Sequence, residues 1–308
     1  YGDHRDLHLS IRRQRQMCIR DSSGQVVMGT VLTVTVVADD AGRAQALAES
    51  AIDEARRWDD ALTIWRSDGE LARFNARAGQ GAIAVSARLH RGLVAMLDLA
   101  AATAGAFDPS IGILASSNHR ASLPLLGIGQ VLHLRGERAE LVAGSALDPG
   151  AIGKGLALDA ISGLLAAGGA TAAFLDFGGS SQTALGVPPQ DPQGWPVLVS
   201  GLANGATLGR IWLRDASLST SRAGAEDTMA IVDPRSGSPV PPPRLVTVRA
   251  ADATRADAWS TALVVLGRDG LERASDLGIE SLMEDAAGVV RTAGFPWEAP
   301  DQPAAVVP

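Results

Sequence analysis

From Gln25 onward, VVMGTVLTVTVVAD is rich in β-branched residues that alternate in part with polar ones. That pattern predicts a strand buried on one or both faces. A long helix is expected next. In AGRAQALAESAIDEARRWDDAL, residues 41–62, the positions Ala44, Leu47, Ala48, Ala51, Ile52, Ala55 and Trp58 keep three-and-four spacing, while Asp, Glu and Arg fill the other face. A second helix is expected over ARLHRGLVAMLDLAAATAG, closing at Gly105 as a C-cap. A third runs from about Lys154 to Gly168, with Leu158, Ile161, Leu164 and Leu165 on one side.

The second half of the chain is a series of short strand-like runs: TAAFLDF, WPVLVSG, ATLGRIWLR, ASLSTS, RLVTVRA, GIESLMED and GVVRTAG. They follow one another instead of alternating with helices, which predicts antiparallel pairing and an α+β fold. One helix, ADAWSTALVVLG at 256–267, interrupts them, and PVPPPR at 239–244 reads as a stiff surface connection. The expected domain is a single one over residues 23–297. Residues 1–22, Arg-rich and without hydrophobic period, are expected to be an extension foreign to it, and the Pro-rich 298–308 a disordered tail.

Charge and cysteine usage narrow the chemistry. The net charge of −7 and the lack of a Lys/Arg stripe in the body argue against nucleic acid as a partner. No apolar run reaches the roughly 18 residues of a membrane span. A single cysteine, Cys18, excludes intramolecular disulfides and thiolate metal clusters, so any metal would be held by oxygen or nitrogen.

Several segments combine residues suited to a ligand. LDPGAIGKGLALD at 147–159 sets Gly150, Gly153, Lys154 and Gly155 ahead of a helix, yet matches neither the G-x-x-x-x-G-K-[ST] nor the G-x-G-x-x-G register. Helix N-terminal amides and a Lys favour an anion, with Asp148 upstream able to take a hydroxyl or amine; a tight turn with a solvated Lys fits the same residues. Asp257 and Thr261, four apart, stand one above the other on one helix face. Two oxygens on one ridge suit a hard cation such as Mg2+. Equally, an acid in the first turn would favour the helix dipole, and Thr261 could bond back to its own helix. AGAFDPSIGIL presents Phe107 and Asp108 ahead of a Pro, and TIWRSDGELARFN places Trp65 among polar residues; each could face a flat ligand or serve the core. LDFGGSSQTALG and LSTSRAGAE join Gly and hydroxyls at strand ends, a texture that permits close backbone approach.

In order and spacing, MGT (28–30), SDGELARFN (67–75), GAFDPSIG (105–112), LDPGAIGKGLALD (147–159), FGGSS (177–181), LSTS (218–221), IVDPRSG (231–237) and ADAWSTALVVLG (256–267) resemble the ApbE-type FAD:protein FMN transferases. The resemblance extends from Met28 to about Gly294. It implies a T-fold-like α+β domain of antiparallel sheets and flanking helices. The implied activity is Mg2+-dependent transfer of FMN from FAD to a Ser or Thr hydroxyl of an acceptor flavoprotein, with release of AMP. Site residues carried over are Asp257, Thr261 and the Ala151 carbonyl for Mg2+, and Lys154 against the phosphates. Met28, Trp65, Ala106, Phe107, Asp108 and Asp148 line the rest of the FAD site.

Three positions depart from the family pattern. Trp65 stands where Tyr is usual, Ala230 where a His often precedes the Val–Asp–Pro run, and Ser180 where the commoner GGD has its acid. Two other activities stay open beside the transferase: hydrolysis of FAD at the same site, with water in place of the acceptor hydroxyl, and FAD binding without turnover. Family members often work at the bacterial cell envelope, so that compartment is the one the resemblance implies.

Overall fold

The first strands form a hairpin. In the computed structural model, which describes residues 19–111, 126–203, 205–224 and 231–298, strand β1 (Ile19–Val27) pairs antiparallel with β2 (Thr30–Ala38). The two-residue turn is Met28–Gly29, with φ of 51° and 77°. Both residues sit in the left-handed region that two-residue hairpin turns demand. The single strand expected from Gln25 onward is therefore two, broken where MG interrupts the β-branched run. β1 also starts at Ile19, inside the segment expected to lie outside the domain; antiparallel pairing with β2 up to Ile19↔Ala38 draws it in. Cys18, Gly112, Ala230 and everything after Glu298 lie outside the described residues. Glu298, expected to open the tail, exchanges two backbone hydrogen bonds with Arg210.

Helix α1 (Ala41–Leu62) has the predicted bounds; Asp40 caps it by accepting from the Arg43 N–H at 2.9 Å. After the short α2 (Glu70–Asn75) comes α3 (Ala87–Ala102), capped by Ser86, whose own N–H and hydroxyl are held by the Glu70 carboxylate at 2.7 Å each. The chain leaves α3 through Ala104 and Gly105, both at positive φ, and Gly105 N–H returns to the Ala100 carbonyl at 2.8 Å. β3 (Ile83–Ala84), β4 (Leu132–Arg135) and β5 (Arg138–Leu141) make a small sheet beside α4 (Ile128–Val131). Strands of two to four residues leave too little alternation to be read from sequence.

Helix α5 (Gly153–Ala167) leads into the main sheet: β6 (Ala172–Phe177), β7 (Ser181–Leu185), β10 (Ala216–Ala223), β11 (Arg244–Ala250), β12 (Glu280–Asp285) and β13 (Gly288–Arg291). The order is β1-β2-β6-β7-β10-β11-β12-β13, and every neighbouring pair is antiparallel. The hairpin of β8 (Trp195–Ser200) and β9 (Thr207–Leu213) stands apart. α6 (Ala253–Leu266) and α7 (Gly270–Asp276) lie between β11 and β12 in sequence. Among the described residues no helix is long and apolar enough to cross a membrane. The architecture is α+β, as the consecutive strand runs predict.

Side-chain alternation sorts the core into two layers. Leu32, Val34 and Val36 of β2 and Ala173, Leu175 and Phe177 of β6 face one way, into the cluster shared with α1, α3, α5 and α6. Val37, Ala172, Ala184, Leu218 and Leu282 face the other way and are covered by Trp195, Val197, Val199, Ile211 and Leu213 of the β8–β9 hairpin and by Phe295.

α5 and α6 approach most closely near their N-termini. A Cβ on Gly155 would lie 2.4 Å from the Ala253 carbonyl oxygen and 2.7 Å from Thr254 Cα, both rigid backbone. Gly155→Ala is therefore expected to push the two helices apart and to cost about 1–3 kcal/mol, read as a lower chemical-denaturation midpoint.

Candidate functional site

α6 begins at Ala253, capped by Asp252, so Asp257 is a full turn inside the helix, not in its first turn. Its carboxylate therefore serves a different helix. Asp257 Oδ2 accepts from the Gly155 N–H at 2.9 Å, in the first turn of α5, where the N-cap residue Ile152 offers no side-chain acceptor. Oδ1 accepts from Ser181 Oγ of β7 at 2.8 Å and Ser219 Oγ of β10 at 2.7 Å. With 4% of its surface exposed, Asp257 is buried with both oxygens hydrogen-bonded, the condition on which a buried carboxylate is tolerated, and Oδ2, with a single donor, keeps a lone pair.

The reverse contact mirrors it. Asp159 of α5 accepts from the Ala253 N–H at 2.7 Å, the Thr254 N–H at 2.9 Å and the Thr254 hydroxyl. Each helix thus supplies the carboxylate that satisfies the other's unpaired N–H groups. Burial pushes the Asp159 carboxyl above its ordinary value, partly offset by those three donors.

Gly155 is the third residue of α5, so its N–H is one of those a helix start leaves without an intrahelical partner, and Asp257 supplies one. Ala151 stands just before the N-cap, and among the described residues no donor reaches its carbonyl oxygen.

A cleft of about 440 Å3 opens over the same turn of α5. Its walls are the β1–β2 turn, the end of α1 through Trp65, the 148–150 bend and the first residues of α5. Of the residues singled out in the sequence, Met28, Trp65, Asp148, Gly150, Gly153 and Lys154 line it, whereas Ala151, Asp257 and Thr261 are not on its wall. Trp65 is 77% exposed, a large ring held out at the rim. Lys154 is half-buried, and among the described residues no carboxylate pairs with it. Asp59 also borders the cleft; burial pushes its carboxyl up, opposed by Arg66 at 3.7 Å.

Ala106, Phe107 and Asp108 are not on that wall. Ala106 and Phe107 are buried in the core, and Asp108 is spent on the Ser110 N–H (2.8 Å), the Ser110 hydroxyl (2.6 Å) and the Ile128 N–H (2.9 Å). Their segment instead braces the 147–150 bend, since the Pro109 carbonyl accepts from the Asp148 N–H at 2.8 Å. Asp148 bonds the Gly150 N–H at 2.8 Å and shapes that bend. Asn75 grips it from the other side, its side-chain amide exchanging two 2.9 Å bonds with the Leu147 backbone. Sequence reasoning singled out neither Asn75 nor Asp159; both lie within quoted motifs, but their partners are 72 and 94 or more residues away. Thr261, half-buried, sits one turn beyond Asp257, and its hydroxyl lies 3.1 Å from Ser221 Oγ. Ser180 is turned to its own strand end, donating to the Phe177 carbonyl at 3.2 Å.

Comparison with known proteins gives a consistent family. The ApbE family model matches residues 28–283. An FAD:protein FMN transferase of Treponema pallidum (strain Nichols) is 30% identical over 289 residues, covering 80% of this chain and 78% of the relative. One from Klebsiella pneumoniae (strain 342) is 24% identical over 301 residues, covering 85% and 83%. Among solved structures, the ApbE protein of Thermotoga maritima shares the fold with a TM-score of 0.79 at 21% identity, over 91% of this chain and all of that one. The apo form of the Pseudomonas stutzeri flavinyl transferase ApbE gives 0.75 at 25% identity, over 89% and 94%.

The reciprocal caps can be probed at Asp159. The folded chain holds its proton to higher pH than the unfolded chain does. Its contribution to stability is therefore full at acid pH and is lost as pH rises through the folded-state value. Asp159→Asn, which sets an amide against the α6 N–H groups, is expected to cost about 1–3 kcal/mol at neutral pH. It should also remove that decline, both effects being read from denaturation midpoints across pH.

Proposed function

Since the chain belongs to the ApbE family, we propose that it is an FAD:protein FMN transferase that moves FMN from FAD onto a Ser or Thr hydroxyl of an acceptor protein. The bond formed joins the hydroxyl oxygen to the FMN phosphorus. The bond broken joins the FMN phosphorus to the bridging oxygen of the pyrophosphate, AMP leaves carrying that oxygen, and the hydroxyl proton passes to solvent.

The observation that carries this reading is the Ala151 carbonyl, which no donor among the described residues reaches, beside the Gly155–Asp257 contact and between the cleft residues Gly150 and Gly153. Asp257, Thr261 and Ala151 together offer a carboxylate, a hydroxyl and a carbonyl, an all-oxygen set that suits Mg2+, with the remaining positions left to water and phosphate oxygens. When bound, Mg2+ would neutralise charge on the pyrophosphate and on the departing phosphate. Lys154, without a carboxylate partner among the described residues, supplies a further positive charge to the same phosphates. Trp65 offers a face on which a flat ring can stack, and Met28 an adaptable apolar surface at the hairpin turn. Buried hydrogen bonds lock Asp257 in place, so it enters the reaction already oriented.

Incubation with FAD, Mg2+ and a candidate acceptor should release AMP and add the mass of FMN to the acceptor. AMP without added mass would instead indicate FAD hydrolysis by water, and bound FAD without AMP would indicate a binding protein. Asp257→Ala is expected to reduce Mg2+-dependent AMP release by at least roughly 100-fold; unchanged release would remove the metal assignment. Trp65→Ala should weaken FAD binding by about 1–3 kcal/mol, the worth of one stacked ring, measured by titration with flavin fluorescence as the signal.

A further inference from the structure

The hydroxyls behind Asp257 form a chain whose protons can be counted, because each Ser or Thr has one proton to give and two lone pairs to receive. Ser181 and Ser219 both donate to Asp257 Oδ1. Ser260 Oγ donates to the Asp257 backbone carbonyl at 2.9 Å, one turn back along α6. Ser221 Oγ lies 2.7 Å from Ser260 Oγ, and with the Ser260 proton assigned to the Asp257 carbonyl, Ser221 is assigned as the donor. Thr261 Oγ1 lies 3.1 Å from Ser221 Oγ. The Ser221 proton is now spent as well, so Thr261 is the donor in that contact. The 3.3 Å contact between Ser219 and Ser260 has no proton left to carry.

Every proton in the chain Thr261–Ser221–Ser260 therefore points inward, and the Thr261 oxygen keeps its lone pairs for the opposite side. Among the described residues nothing donates to it. A threonine hydroxyl on an isolated helix would turn instead to its own backbone. Here the strand residue Ser221 on β10 supplies the competing acceptor.

We propose that Ser221 is a positioning residue: by accepting the Thr261 proton it turns the Thr261 lone pairs toward the divalent cation of the site. This role rests on the metal reading given above. It is distinct from a ligand role, because Ser221 acts only through the Thr261 hydroxyl. Partners that orient a ligand from behind typically contribute 10- to 100-fold to metal affinity.

The test is Mn2+ binding to the full chain with FAD present, followed by electron paramagnetic resonance, for wild type, Ser221→Ala, Ser221→Thr, Thr261→Ala and the Ser221→Ala/Thr261→Ala double variant. Ser221→Ala should weaken Mn2+ binding about 10- to 100-fold, and Ser221→Thr, which keeps the acceptor, should restore most of it. In the Thr261→Ala background, Ser221→Ala should have no further effect, a non-additivity that a general loss of stability would not produce. Full Mn2+ affinity in Ser221→Ala, or equal further weakening in the Thr261→Ala background, overturns the role of Ser221 alone. A wild-type chain that takes up no Mn2+ with FAD overturns the metal reading itself, and this role with it.

Discussion

The site depends on two helices crossing at their N-termini and satisfying each other's backbone. An N-terminus carries unpaired N–H groups and partial positive charge, and two of them brought together would repel. Asp257 and Asp159 convert that conflict into a lock: one carboxylate of α6 enters the first turn of α5, and one carboxylate of α5 enters the first turn of α6. The crossing is close enough only because Gly155 has no side chain to strike the Ala253 carbonyl. Beside this lock stands the Ala151 carbonyl, which accepts from no donor among the described residues.

The sheet sets where this lock stands. β7 and β10 are neighbours, with Ser219 paired to Ser181, and this register brings both hydroxyls under the Asp257 carboxylate. α6 packs on β10 and β11, and its Trp259, Leu263 and Val264 are buried in the core, so the polar ridge of that helix is held in place. Covering the opposite face of the sheet with the β8–β9 hairpin leaves the helix side free to carry the cleft. Buried groups held by hydrogen bonds from two strands and a second helix keep this ridge in one orientation.

The cleft is assembled differently, from loops braced by long-range contacts. Asn75 and Pro109, from separate segments, hold the 147–150 bend on its two sides. Asp108 and Phe107 serve that framework from behind, one by capping a backbone turn and the other by packing in the core. Trp65 and Lys154 border the cleft itself, one exposed at the rim and the other without a carboxylate partner among the described residues.

What the sequence determined by itself was local. The three-and-four spacing of Ala and Leu marked α1 with its observed bounds, and the run of consecutive strand patterns implied antiparallel pairing, because these periods arise within a few residues. The motif order likewise pointed to the family, and the spacing of Asp257 and Thr261 put both oxygens on one face. The tertiary structure alone decided what those oxygens do. One partner of Asp257 is an N–H 102 residues away, and the Thr261 hydroxyl is paired with one on a strand 40 residues earlier. No local period encodes such pairings. They follow from strand order and from how closely two helices can approach, and both are properties of the packed chain.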